Sequence, residues 1–237
     1  MQEFSRYAVY YAPPEGPLAR FGAQWLGWDA AAGAEVAQPE KTGLDMRAIT
    51  KAPRAYGFHG TIKPPFRLAE GQSAAALEAA LAEFCAGAAP VVLEGLTLAQ
   101  IGSFLALVPE GDATPLAALA GQAVQALDRF RAQPGPEELA RRRGAGLTPR
   151  QDALLLRWGY PYVMEEFRFH LTLTGKLAPP QAEAAEAVLR QELEGLLPRP
   201  FPIDALCLFG EGAEDGRFRL ICRFPLGAGQ EGGARAR

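Results

Sequence analysis

Tyr-Gly-Phe-His-Gly-Thr-Ile-Lys at residues 56 to 63 and Arg-Phe-His-Leu-Thr-Leu-Thr at residues 168 to 174 share one figure, a histidine with a threonine two positions later. His59 and His170 are the only histidines of the chain, and Thr61 and Thr172 belong to a set of eight threonines in 237 residues. Two such pairings arise by accident with a probability on the order of one in a thousand, so the pattern is a signal and not composition. In a strand, side chains at i and i+2 share a face, and each imidazole therefore has a hydroxyl beside it. Around the second motif Phe169, Leu171 and Leu173 fall on one face, with Arg168, His170, Thr172 and Thr174 on the other. Around the first, Phe58 and Ile62 oppose Gly57, His59, Thr61 and Lys63.

Working outward, Ser5 to Ala12 predicts a strand stopped by Pro13-Pro14, and Leu18 to Trp28 a helix. The first motif reads as a strand ended by Pro64-Pro65, since proline cannot donate to a ladder. Ser73 to Ala86 is an alanine-rich helix, Val91 to Leu98 and Phe104 to Val108 are strands, and Thr114 opens a helix to about Arg131. Residues 133 to 150 are a charged, exposed excursion with a short helix, and Thr148-Pro149 starts another helix through Trp158. Phe167 to Thr174 is a strand, Pro180 to Leu197 a helix, and Ile203 to Phe209 with Arg217 to Phe224 a hairpin. Each half thus runs strand, helix, histidine strand, helix and further strands, which predicts a duplication of whole lobes.

Composition bounds the class. With 49% hydrophobic and 22% charged residues the chain is globular, and its length suits one large domain or two lobes. No apolar run reaches a membrane span and the N-terminus has no signal pattern, so no membrane is expected and a cytoplasmic location is the default. Cys85, Cys207 and Cys222 lack metal-ligand or redox spacing and read as three reduced, buried thiols. A net charge of −3 argues against extended nucleic acid and leaves a small anionic partner open. No Gly-x-x-x-x-Gly-Lys-Ser/Thr loop occurs.

Two imidazoles and two hydroxyls converging across a cleft suit a tetrahedral phosphate. Hydrolysis of a phosphodiester removes one proton from water and delivers another to the departing oxygen, and imidazole, with an unperturbed pKa near about 6.5, does either near neutral pH. This scheme requires no metal and no cofactor.

The paired His-x-Thr motifs, with residues 54 to 66 and 157 to 175 around them, resemble the two-histidine, LigT-like phosphoesterase superfamily, which includes RNA cyclic phosphodiesterases and 2′-5′ RNA ligases. They are most similar to its branch associated with phosphonate-degradation genes. The resemblance implies an α+β fold: a duplicated, bilobal domain over 1–226 with two mostly antiparallel sheets flanked outside by helices and a central cleft, while residues 227–237, which have no apolar pattern, read as a frayed tail. It implies catalytic roles for His59 and His170 and phosphate-binding roles for Thr61 and Thr172. Tyr56, Lys63, Arg157, Tyr160, Tyr162 and Arg168 stand near the motifs as further substrate contacts, against the plainer reading of packing or solvated charge. The expected activity is a phosphodiesterase acting on a small, cyclic, phosphorylated or nucleotide-like substrate. A binding module without turnover and an RNA 2′-5′ ligase or 2′,3′-cyclic phosphodiesterase are the alternatives. The two motifs are symmetric, so either histidine suits the role of acid or of base.

Overall fold

The computed structural model describes residues 4–144 and 146–228. The chain runs through β1 (Phe4–Tyr11), α1 (Pro17–Leu26), β2 (Trp28–Asp29), β3 (Ala34–Glu35), α2 (Met46–Ile49), α3 (Lys51–Arg54), β4 (Gly60–Phe66), α4 (Ala74–Gly87) and β5 (Val91–Leu93). It continues with β6 (Gly95–Ile101), β7 (Phe104–Glu110), α5 (Thr114–Ala126), α6 (Pro136–Arg143), α7 (Pro149–Trp158), β8 (Leu171–Thr172), α8 (Pro179–Glu192), β9 (Phe201–Ile203), β10 (Ala205–Gly212) and β11 (Phe218–Pro225). Short 3-10 turns lie at Asp128–Phe130 and Met164–Glu166.

Seven strands form one sheet in the order β11-β10-β1-β4-β8-β7-β6, every neighbouring pair antiparallel. The α+β class, the antiparallel pairing and the flanking helices agree with expectation. The two sheets implied by the resemblance meet at the histidine strands through a single pair, Gly60 opposite Leu171, and so run on into one. Each side of that seam draws on both halves of the chain, because the C-terminal hairpin β10–β11 pairs with β1 while the central hairpin β6–β7 pairs with β8.

Period-2 alternation sorts the side chains of β1. Tyr7, Val9 and Tyr11 enter the main core with α1 (Trp25, Leu26), α4 (Leu77, Leu81) and α8 (Ala185, Leu189), whereas Ala8, Tyr10 and Ala12 face a second cluster with Cys207, Phe209 and Phe218. As expected, Phe58, Ile62, Phe169, Leu171 and Leu173 all enter the main core. The opposite faces of β4 and β8 are thereby committed to the side that carries the histidines.

Several boundaries differ from the sequence reading: α5 ends at Ala126, α8 at Glu192, and the expected strand at 91–98 is split into β5 and β6. Three further differences have identifiable reasons. β4 continues through Pro64-Pro65 to Phe66, because β1 pairs Tyr7 with Phe66 and Val9 with Lys63, and the irregularity between them takes up the residue pair that cannot donate. β8 is only Leu171–Thr172, because the amides of Leu173 and Thr174 both turn to the Leu105 carbonyl and Trp25 Nε1 donates to the Leu173 carbonyl. Order also runs past the expected tail start, since Gly227 N donates to the Cys85 carbonyl at 3.0 Å. Residues 229–237 of that tail lie outside the described residues. Cys85 and Cys207 are buried as expected, while Cys222 is half-buried with its thiol donating to Glu78 Oε1 at 3.2 Å.

The seam explains Gly60. A Cβ built there would lie 2.3 Å from Cε2 of the buried Phe169 ring, closer than atoms approach without displacement. Gly60→Ala is expected to destabilise the chain by about 1–3 kcal/mol through overpacking. A denaturant midpoint equal to that of the wild type would show that the ring shifts freely.

Candidate active site

The seam brings the two motifs together. With Gly60 opposite Leu171 in antiparallel register, His59 stands across from Thr172 and Thr61 across from His170. Directly opposed side chains have Cβ atoms about 4.5–5.5 Å apart and diagonal ones are about 7–8 Å apart, so the two imidazoles occupy one diagonal of a small square and the two hydroxyls the other. All four residues are half-buried, reachable by solvent but backed by protein.

Each ring is oriented the same way. His59 Nδ1 donates to the Gly57 carbonyl at 2.9 Å, and His170 Nδ1 donates to the Arg168 carbonyl at 2.8 Å. A carbonyl only accepts, so Nδ1 carries the proton in both and the Nε2 atoms are left for chemistry. Gly57 presents its carbonyl from a backbone with φ +75°, a conformation that L side chains rarely adopt. His59 Nε2 lies 3.2 Å from Thr61 Oγ1 and accepts its hydroxyl proton while neutral.

The surroundings of the two rings differ. Tyr10, fully buried, stacks on His59 with centroids 3.8 Å apart, and Tyr56 approaches the same ring at 6.1 Å. This desolvation lowers the His59 pKa to about 4, with the Gly57 bond opposing and His170 adding to the shift. Burial likewise raises the Tyr10 hydroxyl well above its usual range. His170 has Phe104 beside it, centroids 5.7 Å apart. His59 and Thr172 line a depression of about 270 Å³ with Pro53, Tyr56, Phe104 and Lys176.

Of the further candidates, Tyr56 joins this wall: its ring stacks on Phe218 at 5.2 Å, and the Phe218 amide holds the preceding Ala55 carbonyl at 2.8 Å. Tyr160 is half-buried against Val124, Leu154 and Val163 with Arg142 4.9 Å over its ring, and exposed Tyr162 packs edge-on against it at 5.7 Å. Lys63 does not reach the cleft. It is 1% exposed beneath α5, with Nζ donating to the Val124 carbonyl at 3.1 Å and paired with Asp128 at 3.6 Å. Sharing a strand face is a local property, and α5 covers that face from the lysine onward. Burial lowers the Lys63 pKa to about 8, which Asp128 only partly offsets. Arg157 is exposed and lies over Trp158 at 4.7 Å, away from the depression. Arg168 folds back onto the carbonyls of Glu165 and Phe167, and it is its backbone that serves the site by holding His170. Thr174 is a framework residue, its hydroxyl accepting from Leu105 N at 2.9 Å.

Sequence reasoning missed Tyr10 and Phe104. Both lie on predicted strands, but nothing local says which strands neighbour the histidines. Among the described residues no group of three or more His, Cys, Asp or Glu side chains is placed to hold a metal ion, and no helix is long and apolar enough to cross a membrane.

Fold and site define an α+β protein with a duplicated pair of His-x-Thr strands joined at one seam. A family model described as "Protein of unknown function (DUF1045)" matches residues 61–219, and the chain belongs to that family. It is similar to two proteins named ribose 1,5-bisphosphate phosphokinase PhnN. The one from Janthinobacterium sp. (strain Marseille) is 37% identical over 233 residues, covering 95% of this chain and 51% of that protein. The one from Laribacter hongkongensis (strain HLHK9) is 40% identical over 224 residues, covering 92% and 51%. The chain spans about half the length of these curated relatives. Among solved structures it is similar to a crystal structure described as a phosphoesterase, with 16% identity, a TM-score of 0.44 and coverage of 94% of this chain and 99% of that one. It is also similar to E. coli LigT complexed with 3′-AMP, with 15% identity, a TM-score of 0.42 and coverage of 94% and 99%.

Proposed function

We propose that this chain is a phosphodiesterase that opens a small, cyclic phosphodiester between His59 and His170 without needing a metal. The observation that carries the reading is the seam, where Gly60 pairs with Leu171 and each neighbouring histidine has its Nδ1 held by a backbone carbonyl, which leaves Nε2 free for chemistry. A phosphate seated there meets a proton acceptor on one side, a proton donor on the other, and hydroxyl donors for its nonbridging oxygens.

The unequal environments suggest unequal roles. His59, kept neutral under Tyr10, is assigned the general base: Nε2 takes a proton from water as the water oxygen bonds to phosphorus. His170, protonated at Nε2, is assigned the acid: as the bond to the departing ester oxygen breaks, it delivers a proton there. Opening the ring leaves one product that carries both a phosphomonoester and the freed hydroxyl, with one water consumed. Thr61 turns its hydroxyl from His59 Nε2 to the phosphate when substrate binds.

The relatives' name concerns a phosphorylated ribose, which is compatible with a cyclic sugar phosphate linked to phosphonate metabolism. The kinase activity in that name is said of proteins of which this chain matches about half, and the chain contains no Gly-x-x-x-x-Gly-Lys-Ser/Thr loop. The test is a turnover screen of cyclic nucleotides, RNA 2′,3′-cyclic ends and cyclic sugar phosphates, with the His59→Ala/His170→Ala double variant as control. No turnover of any of them would overturn the reading. Because His59 must be neutral to act, kcat/KM should fall on the acid side with a midpoint near pH 4, where the ring protonates. An acid limb centred at or above about 6.5, the value of free imidazole, would remove the assignment of His59 as base.

A further inference from the structure

Beyond the histidines lies a second depression, of about 210 Å³, lined by four arginines, Arg6 from β1, Arg67 following β4, buried Arg131, and Arg141 on α6, with Glu138 as the one carboxylate among the described residues. The charges around it do not balance. Glu211 pairs with Arg6, Asp128 is shared by Arg131 and Lys63, and Glu138 is shared by Arg67 and Arg142, while Arg141 has no acidic partner among the described residues. Six cations therefore stand around three carboxylates, in a chain whose net charge is −3. Arg131 is spent on Asp128 through Nε and Nη2, and its Nη1 reaches acceptors only at 3.5 Å, at the limit of a useful hydrogen bond. Gly159, which also lines the depression, has no side chain to cover that nitrogen, and a Cβ there would sit 2.9 Å from it. Forked donors with spare capacity, gathered around a hollow, suit the oxygens of a phosphate.

The hollow lies farther along β1 and β4, the strands that also flank and carry the first histidine motif. Arg6 and Tyr10 lie four residues apart on β1, about 13 Å between α-carbons at the extended rise. Tyr10 stacks on His59, and the Arg6 guanidinium lies 5.8 Å over the ring of Phe218, which packs against both Tyr10 and Tyr56.

We infer that the arginine hollow is a second phosphate subsite of the cleft, so that the substrate is a compact phosphodiester carrying a further phosphate monoester. The inference rests on the proposed phosphodiesterase reading for the statement that one molecule fills both places. The subsite itself stands on its own geometry.

Two measurements separate these layers. The first compares kcat/KM for adenosine 2′,3′-cyclic phosphate with that for its 5′-phosphorylated form, in the wild type and in Arg67→Gln/Arg141→Gln, where both replaced side chains are exposed. The wild type should prefer the 5′-phosphorylated form by on the order of tenfold or more, the worth of a charge-assisted hydrogen bond or two, and the preference should collapse towards one in the arginine variant. A wild type without preference, or a preference unchanged by the substitutions, overturns the inference. If the substitutions weaken only a short RNA ending in a 2′,3′-cyclic phosphate, the second phosphate belongs to a polynucleotide and the compact substrate is wrong. The second measurement titrates pyrophosphate calorimetrically into the His59→Ala/His170→Ala variant, with and without the arginine substitutions. Binding that survives loss of the histidines and disappears with the arginines supports the subsite even if neither nucleotide is turned over, in which case the phosphodiesterase reading alone has failed. Binding that is absent, or indifferent to the arginines, overturns the subsite.

Discussion

His59→Ala and His170→Ala are each expected to lower kcat by about 10²–10⁴-fold on whichever cyclic phosphodiester the wild type opens, with the folded state retained. The expectation follows from the division of labour: each imidazole serves a different proton, so neither replaces the other. Stability should change little by comparison, because both rings are half-buried and, among the described residues, their direct hydrogen bonds outside the motifs are to carbonyls two residues back. The two variants should differ in pH dependence. Removing His59 should abolish the acid limb near pH 4, while removing His170 should leave it in place on a much lower plateau. Far-ultraviolet circular dichroism and kcat for the two variants decide the matter. If either retained more than about a tenth of the wild-type rate with the fold intact, the acid and base pair would have to be abandoned.

Asp128→Ala should have the largest effect on stability. This carboxylate accepts from Arg131 Nε at 2.8 Å and Nη2 at 3.2 Å and faces Lys63 Nζ at 3.6 Å, and the two cations are 7% and 1% exposed. Removing it leaves two positive charges with no counter-charge in a poorly solvated place. Breaking a buried ion pair from one side costs about 3–5 kcal/mol, and since the Asp128 side chain keeps a quarter of its exposure, about 3 kcal/mol is expected. For a chain of this size that is a fall in Tm on the order of 10 °C. Lys63→Met should be far milder, because it deletes the charge along with its desolvation, and combined with Asp128→Ala it should restore part of the loss. Additive effects in that cycle would mean that Asp128 and Lys63 are not coupled.

The two predictions separate two uses of one strand face. Thr61 and Lys63 share a side of β4, and by alternation alone both belong to the cleft. The covering helix α5 decides otherwise, because its carbonyl at Val124 and the acid after its C-terminus take the lysine ammonium out of solvent. Arg141, Arg142 and Arg143, a run that reads in sequence as a solvated helix face, divide three ways: Arg141 lines the second hollow, Arg142 lies over Tyr160 at 4.9 Å while pairing with Glu138, and Arg143 pairs with Asp152. Tyr10 carries no motif at all, yet its ring lies against His59 more closely than any other.

What the amino-acid order determined alone is whatever depends on neighbours along the chain. Alternation of period two assigned Phe58, Ile62, Phe169, Leu171 and Leu173 to the core, and the paired spacing placed a hydroxyl beside each imidazole. Only the tertiary structure decided that Gly60 faces Leu171, that Tyr10 dries one histidine and Phe104 flanks the other, and that arginines from β1, the end of β4 and α6 meet around one hollow. Strand partnership, burial and net local charge are sums over residues far apart in sequence, and they acquire values only when the chain has closed those distances.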